Sequence, residues 1–260
     1  MSLKGKVAIV TGGSRGIGEG IAKELGKRGA NVVITYASSS ARAEEVVQAI
    51  KRTSDAIAIR ADCMDPEAPG KVVAETIGKF GEHIDIIVNN AGAGDELYLK
   101  DTTLEHFDKV FYTNVRFPMF LVKYALPYLQ RGGRIVNLSS IVARQGWKMQ
   151  GAYGASKACM ESLARTWAVE LGQTYGITVN AVNPGPVATD MWNATPAESV
   201  PGIQTFIENT PAAPRVGEVD DIVQIVAFLC EEARSLFEAD CKNILKSTGK
   251  SRSNHLGSLN

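Results

Sequence analysis

The 260-residue sequence is long enough for one large α/β domain or two small ones, and its hydrophobic fraction of 45% can supply a full core. The 28 basic residues balance the 28 acidic ones, so no net field favours nucleic acid or an anionic membrane surface. No apolar run reaches the roughly 18 residues of a membrane span, and the first residues lack the apolar core of a secretory signal. We therefore expect a cytoplasmic protein whose partner is a small molecule.

The cysteines and histidines predict neither disulfide bonds nor a metal site. Cys63, Cys159, Cys230 and Cys241 are far apart and form no C-x-x-C pair, which is typical of a reduced compartment. None of the 3 histidines lies at ligand spacing from a cysteine or a carboxylate. We therefore expect no bound metal.

Short β-branched runs alternate with longer helical patterns from residue 6 to about 232, which is typical of β-α-β units and a parallel sheet. The predicted strands are Val7 to Val10, Asn31 to Thr35, Ala56 to Ile59, Ile84 to Val88, Arg134 to Leu138 and Thr178 to Val182. The predicted helices include Gly18 to Lys27, Arg42 to Lys51, Lys71 to Phe80, Leu104 to Gln130 and Tyr153 to Tyr175. No linker divides the series, so we predict one α/β domain over residues 1–234.

Two segments depart from this alternation. Residues 190–216 carry four prolines among bulky apolar side chains, which predicts a loop with short helices in the place where an α/β enzyme has its lid. Beyond Arg234 the apolar periodicity fades, and residues 246–260 are rich in Ser, Gly and Asn. We therefore expect residues 235–260 to form an atypical and partly disordered tail.

The segment from Thr11 to Gly18 follows the first strand and opens the first helix. A glycine turn between a strand and a helix gathers backbone N–H groups and the positive helix end at one point, where a pyrophosphate can bind. The glycine spacing is T-G-x-x-x-G-x-G and not G-x-G-x-x-G. The alternative is a tight turn with no ligand, since such turns use glycine anyway.

The end of the second predicted strand distinguishes between NAD and NADP. An NAD site usually places a carboxylate there for the ribose 2′-hydroxyl. Here Thr35 is followed by Tyr36, Ala37 and three serines, and the first acid is Glu44. The hydroxyls of Ser38 and Ser39 and the cations Arg15 and Arg42 could instead accept a 2′-phosphate. We therefore predict NADP(H) rather than NAD(H). The alternative is that the serines cap the following helix.

Tyr153 and Lys157 are spaced by four residues, which places phenol and ammonium on the same helix face. A neighbouring ammonium stabilises phenolate and brings the phenol pKa from about 10 toward neutrality. Such a pair can give a proton to a carbonyl oxygen or take one from an alcohol.

Ser140 lies at the carboxyl end of a predicted strand, thirteen residues before Tyr153. Open α/β sheets bind ligands at this edge. The Ser140 hydroxyl could donate a hydrogen bond to a substrate oxygen as charge develops there. The alternative is a plain strand-to-loop turn.

The ordered series of motifs resembles the short-chain dehydrogenase/reductase family over about residues 5 to 232. It comprises Thr11 to Gly18, Asp62, Asn89-Asn90-Ala91-Gly92, Asn114, Ser140, Tyr153 with Lys157, and Pro184-Gly185 followed by Thr189. The resemblance implies a single-domain Rossmann fold with a doubly wound parallel sheet and hydride transfer at nicotinamide C4. It also implies that Tyr153 is the acid/base and that Lys157 lowers its pKa and holds the nicotinamide ribose. Ser140 would polarise the substrate oxygen, and Asn114 would position a water in the proton relay.

The same resemblance implies a set of cofactor contacts. Asp62 would meet the adenine, Asn90 to Gly92 would lie beside the adenosine ribose, and Pro184 to Thr189 would enclose the nicotinamide. The full predicted set is Gly12, Ser14, Arg15, Gly16, Ile17, Gly18, Tyr36, Ser38, Ser39, Asp62, Asn90, Ala91, Gly92, Tyr153, Lys157, Pro184, Gly185, Val187 and Thr189. Each has a structural alternative: Asp62 could cap a turn, Asn90 could tie the sheet to a loop, and Pro184-Gly185 could be only a turn.

The predicted function is an NADP(H)-dependent reductase of a bulky or aromatic ketone. Five large side chains lie in segments that flank the site in the family: Trp147, Met149, Met191, Trp192 and Phe206. The alternative is an NAD(P)-binding sensor or scaffold of the same fold with little turnover. Oxidation of an alcohol is the same chemistry in reverse, and the sequence does not choose between the directions.

The resemblance ends after Arg234. The family usually continues with a Trp-x-Thr-Gly-type turn and a final strand, whereas this chain continues Ser235-Leu236-Phe237-Glu238. A shifted reading frame or genuine divergence would each produce this change. We expect no seventh strand, an uncovered sheet edge at Thr178 to Val182, and weaker association than the dimer or tetramer usual for the family.

Overall fold

A computed structural model describes residues 1–94, 96–195, 200–231 and 242–243 of the chain. In these residues a parallel sheet has the strand order β3-β2-β1-β4-β5-β6-β7. The strands are β1 (Val7–Val10), β2 (Asn31–Tyr36), β3 (Ala56–Arg60), β4 (Ile84–Asn89), β5 (Leu129–Leu138), β6 (Thr178–Asn183) and β7 (Lys242–Asn243). The α-helices are α1 (Gly16–Lys27), α2 (Ser40–Ile50), α3 (Ala68–Phe80), α4 (Leu104–Phe111), α5 (Phe117–Ala125), α6 (Gly151–Tyr175), α7 (Asp190–Asn193), α8 (Val200–Glu208) and α9 (Val219–Leu229).

The sheet is doubly wound, as the sequence predicts. Strand order runs outward from β1 to β3 in one direction and from β4 to β7 in the other. The loops that leave β1 and β4 therefore diverge and open a crevice at the carboxyl edge of the sheet, which is where open α/β folds bind their ligands. All six predicted strands are confirmed, although β5 begins at Leu129 rather than at Arg134, and most of their apolar side chains are buried because helices cover both faces.

Two apolar clusters fill the space between the sheet and its helices. On one face Ile21 of α1 and Val226 of α9 pack against β1 and β2. On the other face Phe117 of α5 and Trp167 of α6 pack against β4 and β5. Helix α6 is thereby fixed along β5 and β6, and its first turns lie at the carboxyl edge of the sheet.

The single long helix predicted from Leu104 to Gln130 is wrong. The structure has α4 and α5 joined by a π-helical turn at Tyr112–Arg116, then a 3-10 turn at Leu126–Tyr128, and β5 begins at Leu129. Pro127 lies in the 3-10 turn, where proline lacks the N–H that a continuing α-helix would need. The apolar periodicity of the sequence continues through both interruptions, so the pattern alone does not reveal them.

Short helices α7 and α8 occupy the segment that the sequence predicts as a lid, and residues 196–199 between them lie outside the described residues. A short parallel bridge joins Val187, just before α7, to Gly217, just before α9. The segment is therefore anchored at both of its ends beside the carboxyl edge of the sheet.

The expectation that the sheet has no seventh strand is wrong in one respect. Lys242 and Asn243 pair in parallel with Val182 and Asn183 of β6. This two-residue strand covers the carboxyl end of β6 alone, because the pairing does not extend to Thr178. The other tail residues, including those predicted to be disordered, lie outside the described residues. Within the described part of the chain, no helix has the length and apolar character to cross a membrane.

Candidate active site

The first turns of α6 carry Tyr153 and Lys157 one helical turn apart at the carboxyl edge of the sheet. The Lys157 ammonium lies 5.6 Å from the centre of the Tyr153 ring. Its Nζ donates a 2.7 Å hydrogen bond to the carbonyl of Leu138, the last residue of β5. Ser139 fastens the same turn by donating from its hydroxyl to the Lys157 carbonyl at 3.0 Å. The Tyr–Lys pair is therefore held rigidly against the end of β5.

Ser140 meets Tyr153 at the same edge. The two side chains share a hydrogen bond, and the Ser140 Oγ also accepts from the backbone N–H of Val142 at 3.3 Å. Asn183, the last residue of β6, donates from Nδ2 to the Ser140 carbonyl at 3.0 Å. The serine is thus part of a turn, as the structural alternative suggests, and its side chain also reaches the tyrosine.

The pKa values in this pair differ from the expectation. Burial raises the pKa of Tyr153 above its usual value, and the hydrogen bond with Ser140 offsets this only in part. Burial also lowers the pKa of Lys157 to about 8. The net pKa of Tyr153 therefore does not move toward neutrality in this structure, whereas the lowering by Lys157 that the family resemblance implies stays a prediction. Burial penalises the charged form of both groups, and the ammonium points to the Leu138 carbonyl rather than to the phenol oxygen.

Asn114 lies in the π-helical turn between α4 and α5 and is 1% exposed. Its Nδ2 donates to the Ala93 carbonyl at 2.8 Å and to the Ser156 hydroxyl at 2.9 Å, while Oδ1 accepts from the Ala93 N–H at 2.8 Å. The π turn adds a residue to the helix, and such turns often occur at functional sites. Asn114 therefore joins the loop after β4 to the helix that carries Tyr153.

Two further residues that sequence reasoning missed position the tyrosine. Ser156 donates from its hydroxyl to the Tyr153 carbonyl at 2.7 Å and accepts from Asn114. Gly94 lies directly against the Tyr153 ring. Ser156 lies inside the Tyr-x-x-x-Lys motif, but no spacing rule marks it. The contact of Gly94 with Tyr153 joins residues that are far apart in the chain, so local sequence carried no signal for it.

The glycine turn after β1 has the geometry that a phosphate requires. Gly12 and Gly16 adopt positive φ angles of 63° and 57°, which are open to glycine at little cost. Helix α1 starts directly after Arg15, and no side chain caps its first N–H groups. These amides and the positive helix end are the donors of an anion site, so the residues present fit a pyrophosphate.

The loop after β4 is tied to this turn. The Thr11 hydroxyl accepts from the N–H groups of Asn90 and Ala91 at 3.0 and 2.9 Å, and Asn90 Nδ2 donates to the Thr11 carbonyl at 2.9 Å. A β-carbon on Gly92 would contact both Lys157 Nζ at 3.6 Å and Asn114 Oδ1 at 3.7 Å. The predicted adenosine-side residues therefore lie between the glycine turn and the catalytic candidates.

Asp62 uses its carboxylate locally, because Oδ1 accepts from the Met64 N–H at 2.9 Å in a turn. Arg116 holds the same loop by donating to the carbonyls of Cys63 and Met64, both at 2.9 Å. Its guanidinium lies 3.7 Å from the centre of the Tyr112 ring. The structural alternative for Asp62 is thus observed, and the exposed loop also lies at the carboxyl edge of β3.

The segment from Pro184 to Thr189 runs past the other side of the crevice. Pro184 accepts a hydrogen bond from Ile141 at 3.1 Å, and the Thr189 side chain lies 3.4 Å from where a β-carbon of Gly16 would be. The remaining predicted contacts lie along the same edge. Ser14, Pro184 and Val187 are buried, Gly185 is partly buried, and Ile17 and Tyr36 pack against the core. A β-carbon on Gly18 would clash with the Gly12 carbonyl.

The end of β2 bears no carboxylate, and its serines make no cap. Ser39 occupies the N-cap position of α2, yet its side chain makes no capping hydrogen bond. The exposed side chains of Arg15 and Arg42 both contact Asp190, the first residue of α7. The sequence predicts the two arginines as part of this site but gives no signal for Asp190.

Comparison with known proteins identifies the family. A family model described as enoyl-(acyl carrier protein) reductase matches residues 12–240. The short-chain dehydrogenase/reductase FrzI of a Cladobotryum species is 49% identical over 235 residues, which are 89% of this chain and 91% of that protein. The chain belongs to the short-chain dehydrogenase/reductase family. Membership confirms the sequence resemblance and makes the protein an oxidoreductase of carbonyl and alcohol groups.

Other members carry more specific names. Versicolorin reductase 1 of Aspergillus parasiticus is 42% identical and covers 88% of this chain and 91% of its own length. Trihydroxynaphthalene reductase of Colletotrichum orbiculare is 39% identical, with coverage of 89% and 85%. The crystal structure of a short-chain dehydrogenase from Burkholderia cenocepacia in complex with NADP has a TM-score of 0.85 at 37% identity, and the match covers 94% of this chain and 99% of that one.

Proposed function

We propose that this short-chain dehydrogenase/reductase reduces bulky aromatic ketones with NADPH and that Tyr153 is its proton donor. The observation that carries the proposal is the hydrogen-bonded pair of Tyr153 and Ser140, with the Lys157 ammonium fixed beside it. A carbonyl oxygen that accepts from both hydroxyls would be polarised and would have a proton within reach.

The protonation state of Tyr153 fits the role of a proton donor. Because burial raises its pKa, the phenol holds its proton at neutral pH, which is the form that a donor needs. NADPH, when bound, supplies the hydride that adds to the carbonyl carbon. Tyr153 transfers its proton to the oxygen, so the product is the alcohol, and Lys157 stabilises the phenolate that remains. Asn114 holds the backbone of Ala93, next to Gly94, and Ser156 donates to the carbonyl of Tyr153 itself.

The preference for NADPH rests on the charges around the end of β2. Arg15 and Arg42 present two exposed cations there, and Ser38 and Ser39 add hydroxyls. A 2′-phosphate gains charge-assisted hydrogen bonds from such a set, whereas NADH lacks the group that would use them. The NADP-bound relative of the same fold is consistent with this choice.

An aromatic substrate is supported by a pair of aromatic side chains in the segments that flank the site. The rings of Trp147 and Phe206 meet edge to face with centroids 5.4 Å apart, and both are partly exposed. Trp147 precedes α6 and Phe206 belongs to α8, so the pair spans the predicted lid and the loop that leads to Tyr153. Flat rings of a substrate would stack on such a surface. The relative named trihydroxynaphthalene reductase acts on a fused aromatic ring system.

The cellular setting is also part of the proposal. Cys63, Cys159 and Cys230 are free thiols, which supports a reducing compartment such as the cytoplasm. Phe107, Met119 and Tyr124 on α4 and α5 are 42%, 45% and 39% exposed, which supports burial of these helices against another copy of the chain.

The test is NADPH oxidation with a panel of carbonyl compounds. Bicyclic aromatic ketones such as 2-tetralone should be reduced with a higher kcat/KM than acyclic aliphatic ketones of the same carbon number. NADH in place of NADPH is the matched cofactor control. Binding of NADPH without turnover of any carbonyl compound would instead favour the sensor or scaffold alternative and overturn the proposal.

A further inference from the structure

Asp190 forms ion pairs with Arg15 and Arg42, the two cations that the proposed function assigns to the 2′-phosphate of the cofactor. Its Oδ2 accepts from Arg42 NH1 at 2.9 Å and from Arg15 NH1 at 3.5 Å. The three residues come from the glycine turn, α2 and α7, so the contact joins the predicted lid to the cofactor side of the crevice. One carboxylate oxygen therefore bridges two guanidinium groups that no local sequence pattern brings together.

The bridge shows that Arg15 and Arg42 can serve one anion at the same time. Both arginine side chains are more than half exposed, with 62% and 56% of their side-chain surface accessible, and Asp190 is 51% exposed. Water and a dissolved phosphate can therefore reach the same groups. The hydrogen bond from Arg42 and the charge of both arginines hold the pKa of Asp190 below its usual value, so the carboxylate is ionised at neutral pH.

We propose that Asp190 is a specificity-determining residue, an internal counter-anion that competes with the 2′-phosphate of NADPH for Arg15 and Arg42. This inference rests on the proposed function, in which those arginines receive the 2′-phosphate. The phosphate must displace the carboxylate or share the guanidinium groups with a like charge. NADH lacks the 2′-phosphate and therefore does not compete with Asp190 for the arginines. Asp190 thus narrows the preference for NADPH over NADH that the two arginines would otherwise give.

Displacement of Asp190 also has a consequence for the lid. Asp190 is the first residue of α7, and the preceding Thr189 lies beside Gly16 and accepts from the Trp192 N–H at 3.4 Å. A 2′-phosphate that takes the arginines therefore releases the only ion pairs that the described residues of α7 make with the cofactor side. Binding of the 2′-phosphate is thereby linked to helix α7, which follows the segment predicted to enclose the nicotinamide.

The experiment is calorimetric titration of the whole protein with adenosine 2′,5′-bisphosphate and with ADP, which lacks the 2′-phosphate. Asp190→Asn removes the competing charge and keeps the size of the side chain. It should raise affinity for the bisphosphate by about twofold to fivefold, the range for one exposed ion pair, and leave ADP affinity unchanged. The gain should shrink as salt rises from about 0.05 M to 0.5 M, since the groups are exposed.

Asp55→Asn is the matched control. Asp55 also forms an exposed ion pair, with Lys79 at 2.9 Å, but it lies just before β3 at the opposite edge of the sheet. The control removes the same charge and should change neither affinity. A gain of the same size in both variants would indicate a general charge effect and would overturn the inference.

The titration separates this inference from the proposed NADPH preference. If the wild type prefers the bisphosphate and Asp190→Asn leaves that affinity unchanged or lower, the inference is wrong while the proposed cofactor stands. If the wild type shows no preference and Asp190→Asn creates one, the inference is supported and the NADPH preference of the natural chain is wrong. If neither protein prefers the bisphosphate, both are wrong.

Discussion

The ring of Tyr153 packs so closely on Gly94 that a β-carbon at position 94 would lie 2.7 Å from Cδ2 of the ring and 3.0 Å from Cε2. Real β-carbons do not approach other atoms this closely, so any side chain at position 94 must move the ring or the loop after β4. The loop is itself fixed by Asn114 through Ala93. Glycine at this position therefore sets where the phenol hydroxyl lies.

Gly94→Ala should lower kcat by about a hundredfold, because a shift of about 1 Å in a catalytic group can cost that much. Affinity for NADPH should change little, which separates misplacement of the tyrosine from loss of the fold. Gly78→Ala is the control, since a β-carbon on Gly78 would meet nothing within 4 Å. Steady-state kinetics decide the matter, and an unchanged kcat in Gly94→Ala would show that the ring position is not critical.

The pH dependence of reduction should follow Lys157. Its pKa of about 8 means that the ammonium is present below that pH and is lost as pH rises through it. The charge stabilises the phenolate that forms when Tyr153 gives up its proton, so kcat/KM should be level below about pH 8 and fall above it. Tyr153 itself remains protonated over this range because its pKa is raised.

Lys157→Met should lower the rate, weaken cofactor binding and move the alkaline limb of the pH profile upward, because only the phenol then titrates. Lys51→Met, a change of the same kind at an exposed residue after α2, should leave the profile unchanged. A limb that stays near pH 8 in Lys157→Met would mean that another group is responsible for it.

Cofactor choice should respond to one charge at the end of β2. The wild type should use NADPH with at least about tenfold higher kcat/KM than NADH, the effect of one good charge-assisted contact. Ser38→Asp should reverse the preference, since a carboxylate repels the 2′-phosphate and can accept from the 2′-hydroxyl of NADH. Ser38→Asn has the same shape without the charge and should retain the preference for NADPH. Equal efficiency with both cofactors in the wild type would contradict the assignment.

The C-terminal part should limit stability and assembly. In the structure β7 covers only Val182 and Asn183 of β6. A longer family-type strand in place of the residues after Arg234 would pair with more of β6, so the melting temperature should rise by about 2 to 8 °C and association should strengthen. Thermal unfolding and sedimentation with NADPH present provide the comparison. If the natural chain already forms an equally stable tetramer, the expectation about its tail is wrong.

The sequence predicts the parts of this molecule whose signals are local. Apolar β-branched runs mark the strands, the glycine turn is recognisable between β1 and α1, and the spacing of Tyr153 and Lys157 follows from helix geometry. The break between α4 and α5 was not predicted, because the apolar periodicity of the sequence continues through the π turn. Periodicity reports which face is buried and not whether the hydrogen-bond ladder is regular.

Properties that depend on distant contacts could not be read from the sequence. The raised pKa of Tyr153 comes from burial by the assembled fold, which outweighs the hydrogen bond with Ser140. Gly94 contacts Tyr153, which lies 59 positions further along the chain, and Asp190 contacts Arg15, which lies 175 positions before it. Parallel sheets bring such residues together at one edge, and only the folded chain shows which of them meet.

The central claim is that Tyr153 gives the proton in carbonyl reduction, and Tyr153→Phe tests it most directly. This change removes only the hydroxyl, so the ring can keep its packing against Gly94 and the fold should be retained. Turnover of a bicyclic aromatic ketone with NADPH should fall by roughly three orders of magnitude, within the range for removal of a positioned acid, while the Kd for NADPH stays within about threefold. Turnover within about tenfold of the wild type would contradict the claim and remove Tyr153 from this role.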